Sequence, residues 1–176
     1  AISQAVRQAE PEYETIFVDG DAVVIGRTPE LRTTMKLVIG EDMAATFVLF
    51  NGSSRPITFD PASIVSTASR TNRKGVTKVE GFGSYDPDYY VNWLERQKRW
   101  RRNWAADSDE GFRREILRIM ETPPAFDSDH YLRKHTILPG KAYSGCMMFP
   151  RVRADALHFE LTFGGAVFQF EWGGTK

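Results

Sequence analysis

The sequence predicts a mainly β protein, an antiparallel sandwich with a two-helix insertion between its N-terminal and C-terminal strands. Three observations carry that expectation. Short β-rich runs are separated by turn pairs such as Asp19-Gly20, Asn51-Gly52, Pro139-Gly140 and Gly164-Gly165. Apolar and polar residues alternate strictly near the C-terminus, the period of a half-buried strand. Between these β regions, a block over about 86–122 changes to helical spacing and ends at Pro123-Pro124.

Residues 1–12 form a polar lead, and the single domain is expected over 13–176. "YETIFV" and "AVVIG" flank Asp19-Gly20, a strong hairpin signal. "TTMKLVIG" and "ATFVLFN" flank a short connection over Glu41, Asp42 and Met43. "PITFD" and "SIVSTAS" follow, divided by Pro61-Ala62. In the last third, "HYLRKHTIL" meets Pro139-Gly140 and "AYSGCMMF" follows, where Gly145 predicts a bulge or a close backbone approach. Leu157, Phe159, Leu161 and Phe163 then alternate with polar residues, as do Phe168, Phe170 and Trp172 after the Gly-Gly turn.

The insertion opens with "YYVNWLERQKRWRRNW", which crowds bases and tryptophans together. At about 100° per residue, Tyr89, Trp93, Trp100 and Trp104 share an arc of roughly 60°. Lys98, Arg99 and Arg102 project from the opposite side, with Arg96 and Arg101 flanking the stripe. Proteins that stack on single strands need aromatic and cationic groups on one surface. Helical geometry divides them here, so the expectation is an inward aromatic stripe beneath a solvated basic face. Asp107 or Ser108 caps a second helix, in which Phe112, Ile116 and Met120 share one face.

Lys plus Arg equals Asp plus Glu at 23 each, so no global field draws the chain to polyanions. The one cysteine, Cys146, excludes an intrachain disulfide and a Cys-rich zinc site, and reads as a buried strand thiol. No apolar run reaches the roughly 20 residues of a membrane span. His130, His135 and His158 match no metal spacing, and turn chemistry explains Asp127 and Asp129 without an ion. "DSDEG" at 107–111 lacks the remaining ligands of a calcium loop, and "GFG" at 81–83 lacks the rest of a nucleotide fingerprint. Asn51-Gly52-Ser53 fits a glycosylation sequon, although a turn accounts for Asn-Gly. These readings place no catalytic residue, cofactor or metal.

"FVLFNGSSRPITFDPASI" and "YLRKHTILPGKAYSGCMMFP" resemble segments of secreted bacterial immunoglobulin-like sandwiches, and "SYDPDYYVNWLERQKRW" resembles a charged helical insertion in envelope members of that group. The resemblance implies an exported adhesion or assembly module, periplasmic or envelope-associated, tethered or peripheral, with no catalytic residues to transfer. The chain lacks the N-terminal Cys of a lipoprotein. The expected function is therefore non-enzymatic binding of a protein or envelope polymer, with Arg96, Lys98, Arg99, Arg101 and Arg102 as candidate partner-binding residues. Two alternatives stand beside it. One is a carboxylate-dependent hydrolase of cell-wall or sugar polymers, which needs paired acids with raised pKa values. The other is binding of anionic surfaces or nucleic acid through the basic helix.

Overall fold

The structure is a computed structural model and describes residues 10–18, 20–40, 42–88, 92 and 131–175. Among these the chain is mainly β, in antiparallel sheets. A first sheet has the order β1-β2-β3-β4-β9, from Glu12–Val18, Asp21–Arg27, Leu31–Ile39, Asp42–Asn51 and Lys141–Pro150. A second has the order β11-β10-β6-β7, from Ala166–Thr175, Ala154–Phe163, Val65–Thr71 and Thr77–Phe82. A small ribbon pairs β5, Ile57–Phe59, with β8, His135–Ile137.

Both large sheets line one core. On β10 the alternation read from sequence puts Leu157, Phe159, Leu161 and Phe163 inside, opposite Phe168 and Phe170 of β11. Met35, Phe47, Leu49 and Phe149 come from the first sheet to meet them. Each such ring or branched chain contributes about 1.5–3 kcal/mol through its removal from water. Phe149 of β9, Phe159 of β10 and Phe82 of β7 meet edge to face, with centroids 5.5–5.7 Å apart. The layers also touch at Gly26, where a Cβ would lie 2.7 Å from the Phe168 ring. Only the bare backbone lets that ring approach.

Several expectations change at this level. "PITFD" and "SIVSTAS" are divided at Pro61-Ala62 as expected, by a 3-10 turn over Pro61–Ser63; β5 joins β8, and β6 pairs with β10. Of "HYLRKHTIL", β8 takes three residues, while Tyr131 makes an isolated parallel bridge to Cys146. Gly145 carries no bulge, since β4 and β9 keep one register from Asp42↔Pro150 to Asn51↔Lys141. The two-helix insertion over 86–122 lies, apart from its first residues, outside the described chain.

Asn51 ends β4 fully buried, with its amide completely engaged. Nδ2 donates to the Arg55 and Ile137 carbonyls at 2.7 and 2.9 Å, and Oδ1 accepts from the Ser53 amide and hydroxyl at 3.0 and 2.6 Å. Its own carbonyl accepts from the Gly140 amide at 2.7 Å. One side chain thus joins two loops, and the sequon it opens is closed to a glycan. Thr33, also at 0% exposure, has a hydroxyl with no partner.

Asn51→Ala strands the buried Ile137 carbonyl, unties Ser53 and Arg55 and empties a fully buried site, so it is expected to cost about 2–4 kcal/mol, read as a lower urea midpoint at unchanged slope. Thr33→Val removes an orphaned hydroxyl at nearly constant shape and is expected to raise stability by up to about 1 kcal/mol in the same titration.

Candidate basic binding groove

The hairpin of β6 and β7 turns at Asn72-Arg73-Lys74-Gly75. Gly75 N–H donates to the Asn72 carbonyl at 3.0 Å, and Asn72 Oδ1 accepts from the amides of Lys74 and Val76 at 2.9 and 3.0 Å. Gly75 sits at φ 79°, a conformation that a β-carbon disfavours. The turn therefore holds Arg73 and Lys74 on a stiff tip rather than a loose loop.

Register defines what the hairpin presents. Ser66↔Phe82, Ala68↔Glu80 and Arg70↔Lys78 are cross-strand pairs, and Phe82 packs in the core, so Ala68, Glu80, Arg70 and Lys78 share its face. Within four residues of β7, that face passes from a core phenyl ring to exposed charge. A groove of about 550 Å³ opens there, with Phe82 and Val152 as apolar lining and Arg70, Lys78, Glu80 and Arg153 as charged lining. Val152 and Arg153 belong to the connector between β9 and β10.

The charge is lopsided. Residues 70–80 and 151–155 carry six cations and two carboxylates, in a chain that is neutral overall. Lys78 pairs with Glu80, whose carboxyl is held below its ordinary value first by the Lys78 hydrogen bond and then by the Lys78 charge. Asp155 accepts the Thr71 amide at 2.6 Å. Among the described residues, no carboxylate lies in ion-pair range of Arg70, Arg73, Lys74 or Arg153. Arg70 acts on Glu80 only through its longer-range charge, so the cluster keeps a net positive balance.

Tyr85 and Leu132, on either side of residues 89–130, are fastened to the edge of β9. Tyr85 N–H donates to the Met148 carbonyl and Leu132 N–H to the Cys146 carbonyl, both at 2.8 Å. The Tyr131 hydroxyl closes the junction by donating to the Tyr85 carbonyl at 2.8 Å. Burial pushes the Tyr131 phenol up from its ordinary value, with the Met148 amide opposing.

The candidates Arg96, Lys98, Arg99, Arg101 and Arg102 lie outside the described residues, as do Trp93, Trp100, Trp104, Asp127, Asp129 and His130. His135 stacks on Tyr143 with ring centroids 4.3 Å apart, His158 lies on β10, and Cys146 is buried at 4% exposure. Among the described residues, no group of three His, Cys, Asp or Glu side chains could hold a metal, and no helix is long and apolar enough to cross a membrane. Among the described residues lining the groove, Glu80 is the one carboxylate, and its pKa is lowered. Sequence reasoning passed over "RTNRKGVTK". Its signal is a turn of Asn and Gly that holds Arg73 and Lys74 at its tip and is flanked by one cation on each strand, Arg70 and Lys78.

Because the folded pKa of Tyr131 is raised, its share of stability is intact below about pH 10 and is lost as pH climbs through the folded value. Tyr131→Phe is expected to flatten that alkaline decline in urea midpoints measured across pH, while costing about 0.5–1.5 kcal/mol at neutral pH. No protein-family model, curated protein or solved structure matches this chain, so the groove's own chemistry carries the functional reading.

Proposed function

We propose that this protein is a non-enzymatic binding module of the bacterial cell envelope, extracytoplasmic and built as a two-layer sandwich, which holds an acidic protein or envelope polymer in the groove. The supporting observation is the excess of cations, Arg70, Lys78 and Arg153 against Glu80, lining one cleft that also has apolar walls. Such an arrangement attracts an anion, orients it and performs no bond chemistry on it. The immunoglobulin-like part of the expectation is narrowed. Four consecutive strands form a meander in the first sheet, whereas immunoglobulin domains interleave theirs between sheets. The proposal keeps the two layers and drops that strand order. The basic run 96–102 remains a second proposed contact, on a segment flanked by Tyr85 and Leu132, which bond to β9.

Binding of heparin and poly-glutamate, measured by calorimetry at low and high salt, tests the reading. An Arg70→Glu, Arg153→Glu double variant is expected to bind about tenfold more weakly or worse, a loss of about 1.4 kcal/mol. Both sites are exposed, so the variant should keep the parent's melting curve. Equal binding by parent and variant, or none by the parent at low salt, would overturn it.

A further inference from the structure

We propose that the occupant of the groove is an extended acidic peptide, which joins β7 as an added strand of the second sheet; this rests on the reading of the groove as an anion-binding site. β7 ends the strand order, pairing with β6 on one side alone among the described residues. Its opposite edge carries no ladder from any described strand, and an extended peptide can continue the sheet there. Every residue of β7 up to Gly81 is exposed, including Val79 at 62%. Nothing in its sequence guards the edge by proline, and Lys78 has its charge offset by Glu80.

The side-chain pattern chooses among occupants. In an added strand, alternate residues fall on the inner face, in the rows of Phe82, Glu80 and Lys78. Toward the turn those rows lead to Arg70, Lys78, Arg73 and Lys74, with Arg153 across the groove. Acidic side chains at alternate positions suit that end, and an apolar residue suits the row of Phe82. A sugar polymer or lipid headgroup could answer the cations, but only a peptide answers the backbone edge as well. A second copy of this chain pairing through β7 would bring a second set of the same cations to the seam, where like charges oppose one another.

The test uses three probes on the full chain: an octapeptide of alternating Glu and Val, the same peptide N-methylated at every backbone amide, and poly-glutamate. Strand addition predicts binding of the first, at least a tenfold loss for the second, and slowed amide exchange in residues 77–82 on saturation. Equal affinity of both octapeptides, or no protection of 77–82, would reject strand addition while leaving the anion groove intact. Poly-glutamate binding without octapeptide binding would reject it likewise. Failure of all three probes removes the groove reading and this proposal together. A dimer in sedimentation, dissolved by Val79→Lys, would assign the edge to a second copy and overturn the peptide assignment.

Discussion

The triangle of Phe82, Phe149 and Phe159 joins strands that no backbone ladder connects. Phe149 stands on β9 of the first sheet, while Phe82 and Phe159 come from β7 and β10 of the second. Edge-to-face contacts among three rings add specific geometry to the burial that draws the layers together. Their position matters as much as their energy. Phe82 closes β7, so the triangle fixes the hairpin at its core end and sends the remainder of that strand past the limit of the shared interior.

From that constraint the groove follows. A sheet face turned toward a partner layer is apolar only as far as the layer extends, and beyond it water enters and charge is tolerated. Ala68 and Phe82 mark the dry side of the boundary, and Arg70, Lys78 and Glu80 the wet side. The connector carrying Val152 and Arg153 supplies the other wall, because β9 must hand the chain from one sheet to β10 of the other at this point. A cleft with an apolar lining and an excess of cations then arises where two antiparallel sheets share one core. It concentrates positive charge locally in a protein of zero net charge.

Much of the strand content was legible because burial imposes a period of two. Leu157 to Phe163 and Phe168 to Trp172 could be read one residue at a time, and Gly164-Gly165 announced their hairpin. The partners of short strands were not legible. "PITFD" has two strand neighbours in sequence, yet it pairs with β8, more than seventy residues away, through Ile57↔Ile137. Three-residue strands carry too little pattern to specify a partner, so surrounding packing decides. Asn51 shows the same division. Its turn chemistry was apparent from Asn-Gly, but its bond to the Ile137 carbonyl depends on two loops meeting in space.

What the sequence alone determined is the β class, the principal hairpins and the absence of a global charge, since these depend on local periodicity, turn residues and composition. The site was a different matter. Density of charge points to the basic run 96–102, which lies outside the described residues, while the groove brings Arg70 and Lys78 together with Arg153, seventy-five residues beyond Lys78. Neither cluster is conspicuous in the linear chain. They converge only because the core orders β9, β10, β6 and β7 so that the hairpin faces the connector, and such convergence is a property of tertiary packing that no local pattern encodes.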